Sequence, residues 1–207
     1  MEVADRLGKE LIEAVEEKDI DKVNGLLEEG ANVNFKSEHD EYSVLMFAAL
    51  NRSETPQESV KNANIVRLLL ARGADINARD ETGFTALRFA CAENNIEIVK
   101  VLLEANNPPA DPNKQDDIEE RTALHAASER GHVEIVRLLL TLNNIDVSIK
   151  DENGMTAKQL ANMRGHAHIV GLLEQSEQEK QRMGGRRRKT KRRHRCSKSK
   201  KQGSRRR

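Results

Sequence analysis

Histidines are the first residues in this sequence that invite chemistry. His166 and His168 flank a single alanine and invite a metal reading, because neutral imidazole ligates divalent ions. No cysteine or carboxylate completes a zinc set with them. His125 with His132 invites a catalytic reading as acid and base. The two cysteines offer a nucleophile or a redox switch. Cys196 lies among cations, which lower a thiol's pKa and favour oxidation; Cys91 follows an alanine in an apolar run, where a thiol stays protonated. No Gly-rich phosphate loop, nucleophile elbow or HExxH helix is present. Which reading holds depends on the elements that carry these residues.

Composition narrows those elements. Charged residues make up 33% of the 207 and aromatics only 2%, with no tryptophan, so the core must come from Leu, Ile, Val and Ala. That balance suits thin helical layers. Two cysteines do not make a disulfide framework, and nothing asks for an oxidising compartment. MEVADRLGKELIEAVEEKD lacks a basic-then-apolar leader, and no apolar run approaches the roughly 20 residues of a membrane span. The expectation is an intracellular chain, nuclear or cytoplasmic, not secreted and monomeric.

Overlaying the chain on itself reveals a repeat. TALHAASERGHVEIVRLLL (122–140) has near-copies in TALRFACAENNIEIVKVLL (85–103) and TAKQLANMRGHAHIVGLLE (156–174), with degenerate versions upstream. Aligning Ala14, Ala48, Ala90, Ala127 and Ala161 gives spacings of 34, 42, 37 and 34. A valine follows each alanine by 9 residues (Val23, Val99, Val136, Val170), except Val66, which follows by 18. Five units share one frame, with 9 residues inserted in the second. Each TxLxxA half puts a small residue at a helix contact. Each IVxLLL half builds an apolar face too wide to leave in water. One helix pair cannot bury that face, but stacked pairs can. GANVN and GADIN then supply a left-handed cap and a tight turn.

The period, the T-x-L-H-x-A core, the Gly-His step and the G-A-D-x-N exit resemble the ankyrin repeat, over about residues 5–176. The fourth unit matches best: Thr122, Leu124, His125, Ala127, Gly131, His132, Val136, Leu139 and Leu140. The resemblance implies an all-α solenoid of five helix-turn-helix units, about 5–38, 39–80, 81–117, 118–151 and 152–176, joined by hairpin loops. A disordered basic tail follows at 177–207. It also recasts the histidines as structural: His132 and His166 occupy the Gly-His step, His125 bonds locally beside Thr122, and His168 shares a solvent position with Glu97 and Glu134. An enzyme is not expected, nor a cofactor or small-molecule substrate. Departures exist. The proline usual after the threonine is absent, and Glu120 stands where a turn glycine is expected, which predicts an irregular hairpin. Lys9, Lys18 and Asp19 in the first unit and Lys158 in the last read as solvent-facing caps. Asn34, Asn77 and Asn113 fall where ankyrin hairpins carry an asparagine that cellular hydroxylases sometimes modify, although turn geometry alone accounts for them.

Two insertions stand out. In RSETPQESVKNA (52–63), Thr55 to Glu58 has the form of a capping box with Pro56 at the first helical position, which predicts a helix that starts early, the other reading being a protruding contact element. EANNPPADPN (104–113) lengthens the third exit, and Pro108–Pro109 stiffen it.

Ankyrin stacks are read on their concave side. Here that implies partner contacts at the hairpin tips Glu38, His39, Asp40 and Glu41; Arg79, Asp80 and Glu81; Gln115, Asp116 and Asp117; and Lys150, Asp151 and Glu152. The helix positions are Leu50, Asn51, Ala92, Glu93, Glu129, Arg130, Met163 and Arg164. Nearly every hairpin brings two acids, so the expected partner is a protein with a basic segment. Residues 184–207 hold 14 of the 35 Lys and Arg and no acid, leaving 21 basic against 34 acidic residues in 1–183. Arg186, Arg187, Arg188, Lys189, Lys191, Arg192, Arg193 and Arg195 form a cluster of the type an importin reads. Sequence-blind contact with nucleic acid, acidic lipid, or the body's own acidic face are the other uses.

Overall fold

The first helix of each later unit is short, and a side-chain hydroxyl starts it. Ser43, Thr85, Thr122 and Thr156 are extended and accept the backbone N–H three residues on. The structure, a computed structural model, describes residues 2–53, 55–105, 109–180 and 182. In chain order the helices are α1 (Glu2–Glu16), α2 (Ile20–Glu28), α3 (Val44–Leu50), α4 (Pro56–Ala71), α5 (Ala86–Ala92), α6 (Ile96–Glu104), α7 (Ala123–Arg130), α8 (Val133–Leu140), α9 (Ala157–Met163) and α10 (167–180). Helices of two turns are marginal alone, so packing must hold them. It does so in two layers: α1, α3, α5, α7 and α9 pack in series, as do α2, α4, α6 and α8.

One apolar core runs without a break from Leu11 to Leu173. The aligned alanines lie at its contacts, and Val23, Val66, Val99 and Val136 are fully buried. Val170, which has no later unit to cover it, is half-buried. Among the described residues no β-strand forms; the hairpins are reduced to the isolated bridges Lys36–Ser43 and Lys150–Thr156.

Side-chain amides tie the exits together. Asn34 donates to the Gly73 carbonyl (3.2 Å) and accepts from Asp75 N–H (2.7 Å). Asn77 does the same with Pro109 and Asp111, and Asn113 with Asn144 and Asp146. These asparagines therefore brace successive units, which is more than holding their own turns. The second insertion follows the same pattern, with Pro109 held by Asn77; Pro108 lies outside the described residues.

The first insertion is an early helix start, as expected. Thr55 caps α4 by accepting from Glu58 N–H at 3.2 Å, with Pro56 in the first turn. The extra turns lean on the first unit through Lys18 and Glu58, 2.9 Å apart. The hairpin at Glu120 is irregular, also as expected. Its closing bond runs from Asp116 N–H to the Arg121 carbonyl, one residue longer than Asp80 to Phe84 or Asp151 to Met155. Glu120 takes φ of +54°, where Gly83 and Gly154 serve the shorter turns.

One boundary differs from expectation. Helix α10 continues through 180, past residue 176 where the apolar period fades. Lys158 pairs with Glu177 at 2.6 Å, and the Lys180 ammonium donates to the Ile145 carbonyl, which anchors the added turn. Residues 183–207, including Cys196 and the whole basic cluster, lie outside the described residues.

Candidate protein-docking surface

The histidines serve the scaffold. His125 accepts Thr122 N–H at Nδ1 (3.2 Å), and its Nε2–H donates to the Met155 carbonyl in the next unit (3.3 Å). Burial pushes its pKa down. His132 and His166 each donate from Nε2 to the end of the preceding unit's first helix, to the Ala92 and Glu129 carbonyls, both at 3.0 Å. Asn95 plays that part in the third unit, donating to Ala49 at 2.6 Å. His168 is exposed, with Nε2 2.6 Å from the Arg137 guanidinium. Among the described residues no three His, Cys, Asp or Glu side chains gather as a metal-ligand set. Cys91 is fully buried, and burial pushes its thiol up, away from thiolate.

The expected acidic surface divides into three parts. Asp80, Asp116 and Asp151 are buried. Each carboxylate turns inward and caps its own hairpin: Asp80 accepts from Thr82 and Phe84 N–H, Asp116 from Ile118 and Glu119, Asp151 from Asn153 and Met155. These three acids hold turns and are not available as docking groups, which corrects the expectation for those positions. Asp116 also takes Arg88 Nε at 2.9 Å, and Asp151 takes Arg121 Nε at 3.4 Å. Among the described residues Asp80 Oδ2 has no hydrogen-bond partner, because Met46 stands where the third unit has Arg88.

The helix ends form a second part, where charge is cancelled. Glu93 lies between Arg52 (2.5 Å) and Arg130 (3.0 Å), and Glu129 between Arg121 (3.0 Å) and Arg164 (2.5 Å). Burial raises both carboxyl pKa values, but the arginines outweigh it and hold them below the ordinary range. Ala92 is buried and serves through its carbonyl, Leu50 is half-buried, and Asn51 donates to the Val15 and Glu16 carbonyls. Met163 is 63% exposed. Arg52 and Arg121 were missing from the sequence reading. The cue for Arg121 was its place directly before a capping threonine; Arg52 has none.

The third part is open. Glu38, His39, Asp40, Glu41, Glu81, Asp117, Lys150 and Glu152 are exposed. Lys9 pairs with Glu38 at 2.7 Å, Lys36 with Glu41 at 3.0 Å, and Arg79 with Asp117 at 2.7 Å, while Gln115 donates to the Lys150 carbonyl at 3.0 Å. Negative charge concentrates at the N-terminal end: residues 1–41 carry 13 acids against 5 bases, a net of −8, and 42–183 carry 21 against 16.

This architecture of stacked helix pairs, capping threonines and asparagine-braced hairpins now meets an independent comparison. A sequence profile of ankyrin repeats (three copies) matches residues 11–116 and 107–183. The chain belongs to the ankyrin-repeat family. Its repeats are a protein-docking domain of the stacked, extended-surface type. The chain is similar to human ankyrin repeat domain-containing protein 63, 35% identical over 113 residues, covering 54% of this chain and 29% of that protein. A putative ankyrin repeat protein of fowlpox virus is 31% identical over 105 residues, 50% of this chain and 22% of the relative. Human 2-5A-dependent ribonuclease is 35% identical over 88 residues, 42% of this chain and 11% of the enzyme. The chain thus spans less than a third of the length of these relatives. No helix among the described residues is long and apolar enough to cross a membrane.

Proposed function

We propose that this chain is a non-enzymatic, monomeric scaffold whose repeats, at about residues 5–176, hold a basic segment of another protein. The polybasic run at 186–207 sends it to the nucleus or onto nucleic acid; the body otherwise serves in the cytoplasm. The observation that carries this reading is the unbroken core from Leu11 to Leu173. It spends the apolar residues on unit-to-unit stacking and leaves a rigid charged face, suited to docking rather than to enclosing a substrate. The exposed acids at the hairpin tips and in the first unit supply a field that attracts cations. The alternative is that the tail is the main binding element, on nucleic acid, and the repeats recruit a partner. Its support is the run of 14 cations without an acid.

Deleting 184–207 separates the two. On the first reading the shortened chain still binds an arginine-rich peptide in fluorescence anisotropy, ignores an acidic one, and changes its location in cells. On the second, peptide binding is lost. The intact chain then binds DNA or RNA with an affinity that collapses between about 50 and about 200 mM salt.

A further inference from the structure

The open acids of the first unit frame a cleft of about 390 Å³ in the angle between α1, the 35–39 turn and α3. Its apolar lining is Ile12, Phe35 and Phe47, all half-buried. Gly8 makes this floor possible: a Cβ there would collide with the Phe35 ring, which lies directly on the α1 backbone. Glu13, Glu16 and Glu38 stand on its rim against the ammonium of Lys9 and the imidazole of His39. Lys9 engages Glu38, whereas Glu13 and Glu16 are exposed and make no ion pair among the described residues. Phenylalanine faces beside free carboxylates are the chemistry that receives a guanidinium, which stacks on the ring while its N–H groups find the acid. The same fold already uses half of that pairing, with the Arg88 guanidinium 3.6 Å from the Phe84 ring centroid.

We infer that this cleft is an arginine-binding groove and that its resident occupant is the chain's own terminal run, Arg205–Arg207. The inference rests on the reading above that the repeats receive basic segments, and adds where and in competition with what. Charge favours it, since the first 41 residues carry −8 and the last 24 carry +14. Reach permits it. Four unit-to-unit steps of about 10 Å separate the first unit from the last. The 25 residues after 182 extend up to about 80 Å at about 3.3 Å each. An incoming basic segment must then displace the tail. Because a tethered competitor acts at an effective concentration of order millimolar, the intact chain should bind a free nona-arginine peptide about tenfold more weakly than the Arg205→Ala/Arg206→Ala/Arg207→Ala variant.

The test uses the full-length protein with Cys196→Ser and Ser204→Cys, spin-labelled at residue 204; Cys91 is fully buried and stays unlabelled. At 50 mM salt, amide signals of residues 9–16 and 35–39 should lose more than half their intensity. They should recover in 0.5 M salt and in Glu13→Lys/Glu16→Lys, whose circular dichroism should match the parent. Mixing isotope-labelled chains that lack the spin label with spin-labelled, isotope-free ones should give no effect, which marks the contact as intramolecular. Undiminished first-unit signals overturn the tail's occupancy. If free nona-arginine still shifts those amides, only the occupant is wrong and the docking reading stands. If it shifts nothing, both fall.

Discussion

Met46→His should stabilise the second unit, and the size of the effect follows from its neighbours. Met46 sits at the position of His125, fully buried, and among the described residues its sulfur is the acceptor offered to Ser43 N–H, at 3.4 Å. An imidazole there reproduces the fourth unit: Nδ1 accepts Ser43 N–H, and Nε2–H reaches the Phe84 carbonyl, which matches Met155. Two hydrogen bonds at about 1 kcal/mol each, less about 1 kcal/mol of lost apolar burial, leave a gain of about 1 kcal/mol. His125→Met should cost the same, so the double swap should nearly cancel. Urea unfolding followed by circular dichroism is the assay. With a slope near 2 kcal/mol/M, the midpoint should move by about 0.5 M in opposite directions for the two variants. The new imidazole is buried, so the gain should shrink between pH 7.5 and pH 5.5, as the unfolded chain takes up a proton that the folded one refuses. A loss of more than about 1 kcal/mol in Met46→His, or an unchanged midpoint in His125→Met, would refute the capping argument.

The buried aspartates should respond unequally to amidation. Asp116→Asn removes the acceptor used by Arg88 and Arg121 N–H and should cost about 2–4 kcal/mol, whereas Asp80→Asn replaces an unpaired oxygen and should range from neutral to about 1 kcal/mol more stable, both read by urea midpoint. Glu120→Gly relieves a left-handed residue and should add about 1 kcal/mol, which raises Tm by about 2–4 °C in thermal unfolding. His125 and His132 both have pKa values lowered mainly by burial, so the native state binds fewer protons than the unfolded one. Stability should therefore be complete above about pH 6.5 and fall as pH drops below it, a slope that His125→Met should lessen in denaturant titrations at pH 7.5 and 5.5.

The frame of the stack was legible because it is written in residues whose only use is packing. The five alanines that align the units and four of the five valines are buried, Val170 being the exception, and a capping serine or threonine marks the first helix of every unit after the first. The Glu120 irregularity was legible too, since a missing glycine in a turn leaves a local trace. The charged face was not. An aspartate that caps a turn from inside and one that projects into water look alike in a single chain. Asp80 and Asp151 did carry a signal, a glycine three residues later in a turn the carboxylate closes, but Asp116 lacks it. The cancellation of Glu93 and Glu129 was hidden for another reason. Their arginine partners come from sequence distances of 8 to 41 residues, set by the stacking itself.

The asparagine braces stop before the end. Ser148 occupies the fourth exit, and its hydroxyl turns back to Asp146 at 2.6 Å instead of reaching forward. The closing helix pair is thus fastened by packing, by the His125 and His166 bonds across the joint, by the Arg164–Glu129 pair and by Lys180, without the asparagine rung that every earlier joint possesses. Unravelling should begin there, so a pull on the carboxyl terminus would peel the last unit away while the first four stay locked.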